Sequence, residues 1–211
     1  LIMQYTDEHD LVMDPMAGSG TTVLEAMLAN RDCISYDVNP LAVLLQRVKT
    51  THLEEEKLLE ELKHISENYL PLPAQQFDWQ PVGIRDVDHW FLKETQDSIR
   101  GLIYLINQIE DEKIKDFFSI CLASSIRPVS RATTQQGRLF LDVVTAKEDC
   151  LDTFVKKAQK AIKAVASLPV SNSALEIAEH DASIPFSFGP TNKLIIVHPP
   201  YFNSYKYSSV N

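Results

Sequence analysis

The side chains best suited to chemistry lie in Asp14-Pro15-Met16-Ala17-Gly18-Ser19-Gly20-Thr21-Thr22, in Asp37, and in His198-Pro199-Pro200-Tyr201. The apolar run Leu11-Val12-Met13 ends in Asp14, and the chain then turns through two glycines. Val23, Leu24, Ala26, Met27 and Leu28 follow at helical spacing. A strand, a tight turn and a helix in that order open a nucleotide-binding α/β sheet. The glycines let backbone come close to a ligand, and the helix start offers N–H groups to a carboxylate or phosphate. A phosphate-binding P-loop would need lysine before its Ser/Thr, but Thr21 follows Gly20 directly, which excludes it. Cys33-Ile34-Ser35-Tyr36-Asp37-Val38 reads as a second strand. It delivers an acid about 20 residues after the turn, where a carboxylate can accept two hydrogen bonds from a ribose diol.

Asn39-Pro40 then opens a helix, with proline suited to its first position. Near the other end, Ile195-Ile196-Val197 runs into His198-Pro199-Pro200-Tyr201. Asp-Pro-x-x-Gly-Ser-Gly-Thr-Thr, Asp-x-Asn-Pro and a later x-Pro-Pro-Tyr together resemble the DNA amino-methyltransferases, which methylate adenine N6 or cytosine N4. The resemblance covers residues near 11 to 42 and 175 to 207. It implies S-adenosylmethionine (AdoMet) as cofactor and DNA as substrate, with a restriction–modification role and a partner nuclease left open. It places Asp14, Pro15, Ala17, Gly18, Ser19, Gly20 and Thr21 around the methionine end, and Asp37, Val38 and Asn39 at the ribose. Asp181 and Ala182, an Asp-Ala pair after the third strand, are implied at the adenine. The catalytic loop is His198, Pro199, Pro200 and Tyr201. An RNA guanine-N2 methyltransferase, a glutamine-methylating enzyme and a non-catalytic AdoMet-binding subunit remain open alternatives.

The loop's chemistry can be stated physically. An exocyclic amino group conjugated to its ring is a poor nucleophile. A side-chain acceptor and the next proline carbonyl can each take one N–H, drawing the nitrogen toward tetrahedral geometry. Prolines stiffen the loop, and Tyr201 offers a face for an extruded base. His198 departs from the Asp, Asn or Ser usual in this family. A neutral imidazole accepts through one nitrogen, whereas imidazolium only donates. Three readings follow: a substitute acceptor whose rate falls as the ring protonates, a weak or lost activity, or an engineered or family-specific change.

These residues need a Rossmann-like α/β sheet with a large helical insertion between its second and third strands. The expected division is 1–50 for the first half of the methyltransferase domain, 51–170 for the insertion, and 171–211 for the remainder. In the insertion, Thr51-x-x-Glu54 predicts a capping box, and Leu58, Leu62, Ile65 and Tyr69 predict one buried stripe. A second helical block begins near Asp88, with Phe91, Ile99, Leu102, Ile103, Ile106 and Ile109 inward. Its successor carries Ile114, Phe117, Phe118, Cys121 and Leu122, and Pro128 should stop or kink it. Residues 127 to 138 read as a polar, basic connection and 139 to 144 as a short strand or extended segment. A third helix runs roughly from Glu148 to Leu168. Leu175–Glu179 and Lys193–Val197 read as the third and fourth strands. Fewer strands can be placed than the family's sheet carries, so the chain is expected to be part of a longer protein or to be completed by a second chain.

The net charge is −9 over 211 residues, so phosphate contacts must come from a local basic face, another chain or a further segment. Arg127, Arg131 and Arg138, interleaved with Thr133, Thr134, Gln135 and Gln136, are the nucleic-acid candidates. Lys156, Lys160 and Lys163 share a helix face that reads as plain solvated surface. Cys33, Cys121 and Cys150 lack ligand spacing, and His52, His64 and His89 have no partners at ligand spacing, so no metal role is assigned. The unpaired cysteines and the absence of a long apolar run point to a cytoplasmic protein without a membrane contact.

Overall fold

One helical turn, α1 (Ile2–Tyr5), precedes β1 (Leu11–Asp14) in the computed structural model. The structure describes residues 1–81, 84, 86–135, 138–143, 148–185 and 192–199. Its described residues divide into two compact units, 1–52 with 165–199, and Leu53–Ala164.

In the first unit, β1 leads through the glycine turn into α2 (Thr21–Leu28), then β2 (Asp32–Asp37) and α3 (Pro40–Thr50). The Asn39 side chain caps α3 by accepting from the Leu41 N–H at 3.0 Å, the Asn-Pro start expected of a helix. The unit's other strands, Leu175–Glu179 and Asn192–Ile195, lie far along the chain. The β1–β2 pairing is parallel, as is that of Leu175–Glu179 with β2 and of Asn192–Ile195 with β1. The sheet order is therefore third strand, second, first, fourth, and the winding direction reverses between the first and the fourth. An open parallel sheet forms its ligand crevice at such a reversal, outside the carboxyl ends of the strands. Val12 and Met13 are fully enclosed, as a strand covered on both faces must be. Ile2, Val12, Val23, Ala26 and Cys33 make the core, with Leu175, Ile177, Leu194 and Ile196 packed against it. Arg31 closes the bottom edge, its guanidinium donating to the Thr6 hydroxyl at 3.1 Å and the Thr6 carbonyl at 2.6 Å.

The second unit is built on apolar helix stripes. It contains α4 (Glu55–Asn68), α5 (Val87–Trp90), α6 (Lys93–Ile106) and α7 (Glu112–Val129). The hairpin β3 (Ala132–Gln135) and β4 (Arg138–Leu141) follows, and then α8 (Cys150–Ala166). With these named, the third and fourth strands of the sheet are β5 and β6. Leu58, Leu62 and Ile65 are buried on α4, and Phe117, Phe118 and Phe154 are wholly enclosed. Phe118 stands 5.1 Å from Phe117 and 6.1 Å from Phe154, measured between ring centroids. Asp111 caps α7, accepting from the N–H groups of Lys113 and Ile114 at 2.9 and 3.3 Å.

Three sequence expectations need correction here. The Thr51–Glu54 capping box does not form, because the Thr51 hydroxyl donates to the Arg47 carbonyl at 2.7 Å and closes α3 instead. Glu54 is the N-cap residue of α4 but makes no side-chain cap. The helical block from Asp88 is two helices, since extended backbone at Phe91 and Leu92 separates α5 from α6. The polar connection 127–138 contains β3, which pairs antiparallel with β4 from Ala132↔Leu141 to Gln135↔Arg138. Pro128 lies within the last turn of α7, which ends at Val129, so the missing N–H falls where the helix stops. Among the described residues no helix is long and apolar enough to cross a membrane.

Candidate functional site

The carboxyl ends of β1, β2 and β5 converge on the glycine turn. Asp14 ends β1 almost completely buried and folds the chain back by accepting the Met16 N–H at 3.1 Å. Ala17 then donates to the Tyr36 carbonyl at 2.9 Å, which fastens the turn to the end of β2. Gly18 and Gly20 both take positive φ, +53° and +78°, a region costly to residues with a Cβ. The two glycines do different things. A Cβ on Gly20 would lie 2.6 Å from Cγ of Gln46, whereas a Cβ on Gly18 would meet nothing within 4 Å among the described residues. Gly20 permits packing, and Gly18 keeps a surface of the turn open.

Asp37 is the hinge of the arrangement. Its Oδ2 accepts the Gly18 N–H at 2.8 Å and its Oδ1 accepts the Asn39 N–H at 2.8 Å. Each carboxylate oxygen retains a lone pair for a further donor, which is what a ribose diol requires. The Asp37 carbonyl accepts the His180 N–H at 3.0 Å, so β5 delivers Asp181 and Ala182 to the same end of the sheet. Asp181 is fully exposed, and its carboxyl is held below the ordinary range mainly by the Ser183 N–H, 2.8 Å away. Beside it, the Tyr36 hydroxyl donates to Glu176, and this bond with partial burial pushes the phenol up to about 12. The Tyr36 ring meets His180 edge-on at 5.3 Å.

On the other side of β1, Ile196 N–H donates to the Met13 carbonyl at 2.8 Å. His198 and Pro199 follow after Val197, exposed, just beyond the carboxyl end of β6. The glycine turn and the start of the His-Pro-Pro-Tyr segment thus leave neighbouring strands at the point where the winding reverses. Pro200 and Tyr201 lie outside the described residues. Thr21 is the first residue of α2, and exposed Val38 and Asn39 follow Asp37.

The basic candidates sit in the second unit. Arg127 is exposed in the last turn of α7. Arg131 is committed locally, its guanidinium donating to the Asp88 carbonyl at 3.3 Å and its N–H to the Trp90 carbonyl at 2.8 Å. Arg138 begins β4, and Gln136 lies outside the described residues. Lys156, Lys160 and Lys163 are exposed along α8.

Two side chains that touch the turn escaped the sequence reading. Gln46, completely buried, donates through Nε2 to the Gly18 carbonyl at 3.1 Å and accepts from the Ser35 hydroxyl at 2.7 Å. Lys49 donates to the Ser19 carbonyl at 2.8 Å. The signal in the sequence was a glutamine three residues after Val43 on the buried face of α3, where an apolar residue is the rule.

This geometry can be set against known proteins. The model of the DNA methylase family matches residues 1–45, which span β1, the glycine turn, β2 and the start of α3. Over that segment the chain is similar to the DNA amino-methyltransferase family. It is also similar to the Type II methyltransferase M.MvaI of Kocuria varians, 25% identical over 145 residues, which are 66% of this chain and 32% of that protein. The chain thus aligns with about a third of that relative's length. No solved structure matches it. The family match falls on the segment that carries Gly18 and Asp37.

Proposed function

We propose that the protein is an AdoMet-dependent methyltransferase that acts on an exocyclic amino nitrogen of a DNA base, adenine N6 or cytosine N4. The observation that carries this reading is the Gly18–Asp37 hydrogen bond at the winding reversal, with His198 and Pro199 leaving the adjacent strand. The residues present fit the cofactor. The open face of Gly18 leaves room for a ligand where any Cβ would project, and Asp37 keeps acceptor capacity on both oxygens. In this reading Gly18, Ser19, Gly20 and Thr21 hold the methionine end, Asp37 the ribose, and Asp181 and Ala182 the adenine side. Asp14, Pro15 and Ala17 shape the turn. When bound, AdoMet supplies an electrophilic methyl group on a sulfonium. The protein's own task is to make the amine nucleophilic. Neutral His198 accepts one N–H and the Pro199 carbonyl the other, which directs the nitrogen lone pair outward. Tyr201 supplies a stacking face for a base taken out of the helix. The helical unit is proposed as the target-recognition region, with exposed Arg127 available to a phosphate.

Histidine at position 198 favours one second reading, an AdoMet-binding module without methyl transfer. Calorimetric titration of AdoMet into the protein and into Asp37→Ala tests the cofactor site. Asp37→Ala should weaken binding by about tenfold or more, since hydrogen bonds to a charged group contribute roughly 1.5–3 kcal/mol. Transfer assays on DNA then separate the two readings. His198→Asn should keep or raise activity, and His198→Ala should lower it. Equal rates for all three proteins would remove His198 from the mechanism, and no transfer by any of them would leave the module.

A further inference from the structure

We propose that Gln46 is a positioning residue that orients the Gly18–Ser19 peptide for the amino-acid end of the cofactor, an inference resting on the cofactor reading above. Three successive peptide units of the turn are held by side chains from outside it. Asp37 takes the Gly18 N–H at 2.8 Å, Gln46 takes the Gly18 carbonyl at 3.1 Å, and Lys49 takes the Ser19 carbonyl at 2.8 Å. A trans peptide is planar, and its C=O and N–H point in opposite directions. With the Gly18 carbonyl drawn toward α3, the N–H of the same unit, on Ser19, must point away from α3. Ser19 is exposed there, beside the open face of Gly18.

The turn's own hydrogen bond, Gly20 N–H to the Ala17 carbonyl at 2.9 Å, closes it but is compatible with either direction of the central Gly18–Ser19 peptide. Glycine crosses φ/ψ space with little steric penalty, so a peptide next to Gly18 can rotate unless something holds it. Gln46 supplies the hold, and it is itself held. The Ser35 hydroxyl donates to its Oε1 at 2.7 Å, which leaves the amide nitrogen facing Gly18. Gln46 is wholly buried and its Cγ occupies the space that a Cβ on Gly20 would need. Gly20, Ser35 and Gln46 therefore form one packed unit under the turn. A buried amide in such a position orients its partner, because losing either bond strands a polar group without water.

A merely structural role and a positioning role predict different ligand profiles. The test uses S-adenosylhomocysteine, which carries the amino-acid end, and 5′-methylthioadenosine, which shares the adenine, ribose and thioether but lacks it. Gln46→Met keeps the volume under Gly20 and removes both hydrogen bonds. The double variant Ser35→Ala/Gln46→Met also removes the stranded hydroxyl, so it protects the fold if the single variant does not. The expected result is a Kd for S-adenosylhomocysteine raised roughly tenfold or more, with that for 5′-methylthioadenosine changed by less than about twofold. Equal losses on both ligands, or no loss on S-adenosylhomocysteine in a folded variant, overturn the proposal. Failure of the unaltered protein to bind S-adenosylhomocysteine would instead remove the cofactor reading, and the role of Gln46 with it.

Discussion

Gly18 and Gly101 show how differently the two units use the same residue. In the α/β unit, the absent Cβ of Gly18 leaves space that no atom of the described residues fills within 4 Å. In the helical unit, a Cβ on Gly101 would come 2.1 Å from the Leu70 carbonyl oxygen and 3.4 Å from the Tyr69 ring. Gly101 lies buried within α6, where glycine weakens a helix, and it is tolerated because the chain after α4 packs directly on it. The space beside one glycine is open among the described residues, and the space beside the other is filled by the protein itself. The comparison separates a unit whose polar groups are arranged around an open surface from a unit whose residues are spent on packing.

The largest effect that could break this contrast is on stability in the helical unit. Phe118→Ala should cost about 3–5 kcal/mol, because a fully enclosed ring touching Phe117 and Phe154 is replaced by a cavity. Urea denaturation measures it, and a loss below about 1 kcal/mol would mean the unit is loosely packed. Gly101→Ala should follow at about 1–3 kcal/mol, since backbone rather than a flexible side chain must move. Gly18→Ala is the counterpart. It should cost only about 1–2 kcal/mol of backbone strain, yet weaken AdoMet binding by more than that strain explains. If Gly18→Ala binds AdoMet as the wild type does, the open surface is not the cofactor's.

The smallest effect is the pH dependence of stability, and it spans both units. Burial pushes Cys33, Cys121 and Cys150 from 9.0 up to about 12. A thiol whose folded pKa is raised binds its proton more tightly in the native state than in the unfolded one. The unfolded chain therefore gains stability by ionising as pH rises above about 9, and folded stability should decline from there toward pH 12. Urea midpoints at pH 8 and 10 would show the decline, and a rise would contradict the burial. The same protonated, enclosed thiols should resist alkylation until denaturant is added.

How much could be read beforehand differs between the units for the same reason. The glycine turn, both flanking strands and the acid at position 37 were legible because local chain geometry dictates them. Asp14, Gly18, Gly20 and Asp37 occupy positions where few other residue types would serve. The stripes of α4, α7 and α8 were legible from period, since Leu58, Leu62, Ile65, Phe117, Phe154 and Ile162 recur at helical spacing and all are buried. The hairpin was not. Its Thr133-Thr134-Gln135 strand lacks apolar alternation, and only pairing with β4 makes it a strand. Thr51 misled because its hydroxyl had two possible partners, and the end of α3 took it.

By itself, then, the sequence determined the turn–helix opening of the sheet, the acid placed to meet it and the apolar faces of the insertion, since each follows from short-range sterics and periodicity. Only the tertiary structure decided that β5 and β6 flank β2 and β1 on opposite sides, which brings the His198 segment to the glycine turn. It also decided that Gln46 and Lys49 of α3 would fold under that turn and hold its carbonyls. Those contacts join residues 28 to 30 positions apart, and strands more than 130 positions apart in the case of β2 and β5. No local rule of chain geometry reaches that far. They exist because burying the shared core of the parallel sheet brings distant segments together.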